Sequence, residues 1–195
     1  MREGMDTELV VRAQQGDRAA FAELAVAVGD RLHAVAHRML RDAGLAEDAS
    51  QQTLLRAWQE LPRLREPERF EAWTYRLLVN VCHAEWRRRK RSLAALPDLD
   101  SVPEPISPDD MAIVIDRDQL ERGYSRLSMD HRAVVVLHYY LDMPVAEIAE
   151  TLGVGEGTVK SRLYHAMRGL RAALDADDRH VAAVADDHGV GEVAS

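Results

Sequence analysis

Lys160, Arg162, Arg168 and Arg171 recur at helical intervals near the C-terminus, with no acid between Thr158 and Ala173. Such residues do electrostatic rather than covalent chemistry: they hold phosphates and read base edges. Gly157, Thr158, Lys160 and Ser161 stand near the start of the segment, where a helix reaches bases; Arg168 and Arg171 stand where phosphates are met. Tyr164 and His165 add hydrogen-bonding groups. A second basic cluster, Arg87–Arg91, closes the segment FEAWTYRLLVNVCHAEWRRRKR. It follows Trp73, Tyr75, Arg76, Asn80, His83 and Trp86. Flat side chains beside cations suit single-stranded nucleic acid, whose bases stack while its backbone meets positive charge. The competing reading puts Trp73 and Trp86 in a core and makes the arginines a solvated helix end. These residues alone leave the two readings even.

Catalytic and metal chemistry has no comparable set. His33 and His37 stand four apart, but Ala-Val-Ala lies between them and a zinc protease glutamate is missing. Cys82 and His83 are adjacent, so on a helix they diverge by about 100°, and no orienting acid is evident. There is no Gly-rich phosphate loop. The expectation is a protein without cofactor, metal or enzymatic activity. Cys82 is the single cysteine and cannot form an internal disulfide. With no apolar run of about 18 residues and no signal-peptide stretch, membrane insertion is not expected and a cytoplasmic location is the default.

The basic segment needs an element to present it. PVAEIAETLGVGEGTVKSRLYHAMRGLR, from Pro144, supplies a helix with Ile148, Ala149 and Leu152 inside. Gly153 falls where a left-handed cap is required, and a second helix begins near Glu156 with Val159 and Leu163 inside. The spacing Ala149, Gly153, Val159 is that of a helix-turn-helix. A third segment, AEDASQQTLLRAW, places Glu47, Asp48 and Gln51 on one helix face, continued by Leu54 and Trp58. It is either a docking surface for a partner helix or an ordinary amphipathic surface helix, and by itself the second reading is favoured.

The chain reads as all-α, with two small domains. Phe21, Leu24, Val28, Leu32, Val35 and Met39 step by three or four after a cap at Asp17. Asp6 or Thr7 starts a shorter helix before them. Pro97, Pro103, Pro105 and Pro108 bar any helix between the two halves. This divides the chain into a helical domain at 1–92, an extended acidic linker at 93–115, a second helical domain at 116–174 and a mobile acidic tail at 175–195. The net charge of −8 argues against a nucleic-acid partner until it is mapped. Residues 96–121 carry one base and eight acids, and 175–195 one base and six acids. Residues 1–95 carry 16 bases and 14 acids, and 122–174 carry seven and five. The helical parts are therefore mildly basic.

Taken together and in this order, the segments LVVRAQQGDRAAFAEL, AEDASQQTLLRAW, FEAWTYRLLVNVCHAEWRRRKR and IAETLGVGEGTVKSRL resemble the bacterial sigma factors of the extracytoplasmic function (ECF) group, over about residues 6–174. The first domain resembles sigma region 2 and the second sigma region 4. The resemblance implies a promoter-specificity subunit that binds core RNA polymerase and promoter DNA. Glu47, Asp48, Gln51, Leu54 and Trp58 would dock on polymerase. Trp73, Tyr75, Arg76, Asn80, His83, Arg87, Arg88 and Arg89 would recognise and melt the −10 element, with the loop 61–69 helping to capture a flipped base. Gly157, Thr158, Lys160, Ser161, Arg162, Tyr164, His165 and Arg168 would read the −35 duplex. An anti-sigma factor is a further implied partner. The chain departs from the family pattern at Ala84, where an acid is frequent, at Leu54, where an aromatic is frequent, and at Gly155, where serine often caps. The rival reading is a helix-turn-helix regulator whose N-terminal domain senses a ligand or partner and never joins polymerase.

Overall fold

Helix boundaries follow the local chemistry of the chain. The computed structural model describes residues 7–94, 121 and 123–188. Helix α1 (Thr7–Gln14) runs to a turn at Gly16, whose φ of 93° suits glycine. Asp17 then accepts hydrogen bonds from Ala19 N (3.0 Å) and Ala20 N (3.1 Å) and starts α2 (Arg18–Leu40). The expected stripe is the buried one: Leu24, Val28, Leu32, Val35 and Met39. Phe21 lies at its edge, its ring centre 4.9 Å from that of Trp58. Asp42 accepts from Leu45 N at 2.9 Å and starts α3 (Ala43–Glu60).

The inner face of α3 is made of small residues, Ala46, Ala49, Ser50, Thr53 and Ala57, which lets α2 and α4 approach it closely. The hydroxyls of Ser50 and Thr53 donate to the carbonyls of Ala46 and Ala49, each at 2.7 Å, so no donor is stranded. Pro62 and Pro67 set two short 3₁₀ turns, Leu61–Arg63 and Pro67–Arg69. Helix α4 (Phe70–Ala94) follows.

In the second domain Ser128 accepts from His131 N and starts α5 (Met129–Val135). The helix then widens over Val136–Tyr140, where Leu141 N reaches back five residues to Val136 O at 3.1 Å. Helix α6 (Val145–Leu152) ends at Gly153, with φ 66°. The N–H of Val154 bonds to Ala149 O at 3.0 Å and closes the turn. Helix α7 (Glu156–His188) continues past residue 174, where the sequence suggested a tail. The alanines of this stretch favour helix, which accounts for the difference. Asp6, residues 95–115 of the expected linker and residues 189–195 lie outside the described residues. Among the described residues there is no strand, and no helix is long and apolar enough to cross a membrane.

The two domains are in contact. Helix α4 packs on α6, α2 packs on α5, and one cluster of buried side chains runs through both, from Val10 and Leu78 to Ile148 and Val159. The C-terminal domain adds a smaller cluster of its own, Leu127, Ala166 and Leu170.

Candidate nucleic-acid and polymerase interfaces

Helix α7 presents its basic face because the opposite face is fixed. Val159, Ala166 and Leu170 are buried, and Ala149 of α6 is buried where the two helices of the motif cross. This leaves Gly157, Thr158, Lys160, Ser161, Tyr164, His165 and Arg168 exposed. Lys160 Nζ stands 3.5 Å from Glu156 Oε2, one turn back on the same helix. Arg162 differs from the expectation of a free reading side chain. It is half-buried, and its Nη2 donates to Asp130 Oδ2 of α5 at 2.9 Å. His165 stacks on His131 with ring centres 6.4 Å apart.

Helix α4 is less open. Trp73, Arg76, Asn80, His83 and Arg87 recur every three or four residues and so share one side of the helix, and Arg69 stands in the turn just before its first residue. Arg76, Asn80 and Arg87 are exposed. Trp73 is half-buried and tilted against Phe70, with centres 6.1 Å apart. Tyr75 requires a correction: it is 2% exposed, and its hydroxyl donates to Glu71 Oε1 at 3.2 Å. Burial pushes its pKa up. A ring so enclosed cannot stack on a base while the domain stays folded, so Tyr75 is core. His83 is half-buried, 3.5 Å from Asp130 Oδ1, and burial pulls its pKa down against the attraction of that carboxylate. Arg88 pairs with Glu85 at 2.6 Å, and Arg89 pairs with Asp42. Arg87 Nε donates to His83 O at 3.2 Å, and the Lys90 ammonium lies 5.4 Å from the centre of the Trp86 ring, so at least four of the five consecutive cations have a contact within the domain.

On α3, Glu47, Asp48 and Gln51 are exposed as expected, with Gln51 Nε2 donating to Glu47 Oε1 at 3.2 Å. Leu54 is half-buried and packed on the core, and Trp58 is half-buried with its ring against Phe21. The apolar side chain on the outer face is Leu55, 56% exposed. It stands four residues after Gln51 and seven after Asp48, so strict helical period from those two polar residues points to it rather than to its neighbour.

Residues 24–92 match the family described as Sigma-70 region 2, and residues 117–170 match Sigma-70, region 4. The ECF RNA polymerase sigma factor SigL of Mycobacterium tuberculosis is 39% identical over 165 residues, covering 82% of this chain and 93% of SigL. This chain belongs to the ECF sigma factors. SigW of Bacillus subtilis is 26% identical over 183 residues, covering 88% of this chain and 98% of SigW. Among solved structures, CnrH in complex with the cytosolic domain of CnrY is 26% identical with a TM-score of 0.64, covering 88% of this chain and 98% of CnrH. The sigma factor RpoE of Bartonella quintana, in complex with NepR, shares the fold at a TM-score of 0.64. The N-terminal domain is therefore sigma region 2 and the helix-turn-helix domain sigma region 4. A sigma factor directs transcription initiation, so a regulator that never joins polymerase is no longer the reading.

Proposed function

We propose that this sigma factor docks on core RNA polymerase through the outer face of α3, reads the −35 duplex with α7, and recognises and opens the −10 element with the exposed side of α4. The observation that carries the reading is the pairing, on one chain, of a basic helix held rigid and outward with a separate polar face that ends in an exposed leucine. On α7, Lys160, Ser161, Tyr164, His165 and Arg168 reach the major groove, with Gly157 and Thr158 leaving room for close approach at the helix start. On α4, Arg76, Asn80 and Arg87 contact the opened strand, and the loop 61–69 receives an unstacked base. On α3, Glu47, Asp48 and Gln51 orient the partner helix and Leu55 is its apolar anchor, in the manner of a polar surface around a buried contact. The factor itself transfers no group; bond formation belongs to polymerase. Its place of work is the cytoplasm. An anti-sigma factor is a further partner, by analogy with RpoE and the anti-sigma factor NepR.

Run-off transcription with core polymerase on genomic fragments tests the whole reading. A start site that appears only with this chain is the expected result. For the docking face, Leu55→Ala should weaken core binding by roughly tenfold, the effect of losing an interface anchor of about 1–2 kcal/mol, whereas Leu54→Ala should act chiefly on stability. Equal affinity of the Leu55 variant and the parent for core would remove α3 from the interface.

A further inference from the structure

Of the four segments that carry the family resemblance, LVVRAQQGDRAAFAEL has no part in the function above. It contains the end of helix α1, whose last residue is Gln14. The Gln14 side chain is half-buried and reaches the loop between α3 and α4. Its Nε2 donates to Leu61 O at 3.1 Å and to Leu64 O at 2.7 Å. Both partners are acceptors, so the amide must turn its NH2 to the loop, and its two N–H bonds match the two carbonyls.

The two carbonyls are not equivalent. Leu61 caps the end of α3 and opens the first 3₁₀ turn, and its carbonyl also accepts from Leu64 N at 3.0 Å. Leu64 follows that turn with extended backbone, φ −68° and ψ 115°. Residues 64–66 lie between the two 3₁₀ turns, and Gln14 holds the carbonyl that starts this stretch. Leu61 is buried and Leu64 is half-buried against the core, whereas Arg63, Arg65 and Glu66 are exposed. The loop is thus pinned on its inner side, by two leucines and two carbonyls, and offers its outer side to solvent.

A strut needs a fixed base. Val10 and Ala13 of α1 are buried. Arg12 binds Asp17 through Nε at 3.1 Å and Nη2 at 2.6 Å, and Asp17 is also the cap of α2. Helix α1 packs against both 3₁₀ turns as well. Its end is therefore tied to the core, to α2 and to the loop at once.

We propose that Gln14 is a positioning residue for base capture: its amide holds the carbonyls of Leu61 and Leu64 so that the loop 61–69 keeps the shape that receives an unstacked base. This role rests on the reading of that loop given above. Gln14 acts through the loop and not on the DNA. The residue type follows from the task. Glutamate has the length but no donor at neutral pH, and asparagine has the donors on a stem one carbon shorter. A loop free to sample several shapes binds its base only through the competent fraction, so selectivity at that base falls while the rest of the factor still works.

Holoenzyme assembled from core polymerase and the full-length chain tests the role, with a pool of fork DNAs as the probe. Each fork carries a duplex that ends in an unpaired segment of about six randomised nucleotides, and the bound DNA is sequenced. Gln14→Met keeps the length and removes both donors; Gln14→Lys restores donors on a slightly longer stem. The parent should enrich one base at one position of the unpaired segment. Gln14→Met should reduce that enrichment several-fold, with preferences at the other positions, core binding and helical content at the parent level, and Gln14→Lys should recover most of it. Amide exchange at Leu64 and Arg69, whose N–H groups close the two 3₁₀ turns, should quicken in Gln14→Met and not in Gln14→Lys. The parent's enrichment kept in Gln14→Met overturns the role alone. So does a Gln14→Met chain that loses core binding or helical content along with it, since the side chain would then serve the fold in general. Enrichment in Gln14→Lys no better than in Gln14→Met places the effect in packing rather than in the donated hydrogen bonds, which overturns it too. A parent with no preferred base overturns the base-capture reading, and this role with it.

Discussion

Helices α4 and α7 both carry arginine-rich segments beside aromatic residues, yet they expose different chemistry. On α7 the candidate residues from Gly157 to Arg168 are exposed except Arg162, which Asp130 holds, and His165 also stacks on His131. On α4 the aromatic residues turn inward: Tyr75 is buried and Trp73 leans on Phe70. Arg76, Asn80 and Arg87 reach the surface; Arg88 and Arg89 are exposed too but pair with Glu85 and Asp42. Reading a closed duplex asks only for a rigid helix with outward donors. Holding an open strand asks for a surface that also belongs to a core, so the same segment must fold a domain and meet a base. On the function proposed above, strand capture falls to the polar residues of α4 and the adjoining loop rather than to the buried ring of Tyr75.

The sharpest way to break that contrast is at Tyr75. Tyr75→Ala empties a fully packed site and should cost roughly 3–5 kcal/mol of stability, the range for truncating a buried aromatic. Tyr75→Phe loses only the bond to Glu71, which still pairs with Arg31 at 2.9 Å, and should cost about 1 kcal/mol or less. Promoter opening by the Phe variant should match the parent. A phenylalanine variant that folds normally but fails to open DNA would return Tyr75 to the −10 contacts.

The next effect separates the two helices by function. Lys160→Ala with Arg168→Ala should reduce output from a −35-dependent promoter by roughly a hundredfold, two contacts at about 1–3 kcal/mol each, and leave core binding intact. Arg76→Ala with Asn80→Ala should do the reverse. The −35 duplex should still be bound, but permanganate reactivity of thymines in the opened region should disappear. If each pair lost both activities together, the division of labour between α4 and α7 would be wrong.

A smaller effect lies in the turn that aims α7. Gly153 has φ 66° and open space where a side chain would stand, so substitution acts through the backbone alone. Gly153→Ala should cost about 1–2 kcal/mol, and Gly153→Asn less, since asparagine tolerates that conformation. Thermal unfolding measures both. Equal losses would mean that packing rather than backbone sets the turn.

Legibility in the sequence followed the range of the physics involved. The helix-turn-helix could be read from Ala149, Gly153 and Val159 because its determinants are local and each has one strong meaning. The α2 stripe could be read because period alone decides it, and Asp17 could be read as a cap. Which rings of α4 are inside could not, since Trp73 and Tyr75 suit a core and a stacking surface equally until the neighbours of the helix are known. The outer leucine of α3 is hidden on the same ground: Leu54 and Leu55 are adjacent and differ by about 100° on a helix, and only packing against α2 and α4 tells which one is spent. The seam between the domains depends on Asp130, Arg132 and Glu150 meeting residues far along the chain, and nothing in their local pattern marks them. The family resemblance supplied roles for segments whose own chemistry was ambiguous, but it did not assign inside and outside to single residues.

The finest test of the contrast concerns a carboxylate that holds one arginine of α4 away from DNA. Asp42 accepts from Leu45 N at the start of α3 and pairs with Arg89. The backbone hydrogen bond at Leu45 holds its pKa below the ordinary carboxylate value, and Arg89 adds to the effect. A depressed folded-state pKa means stability that is fully present above the unfolded value, near 3.9, and lost as pH falls through the folded one. Asp42→Ala should cost about 1 kcal/mol at neutral pH, chiefly from the cap, and the cost should shrink below pH 4. Asp42→Asn keeps a capping oxygen but drops the ion pair, so its neutral-pH loss should be smaller still and its acid dependence flatter. It also frees Arg89. If the arginines of α4 act as backbone clamps on the opened strand, Asp42→Asn should bind single-stranded −10 DNA slightly more tightly, with a steeper salt dependence because one more cation meets a phosphate. An unchanged salt slope would show that Arg89 belongs to the domain and not to the nucleic-acid surface, leaving Arg76, Asn80 and Arg87 to carry it.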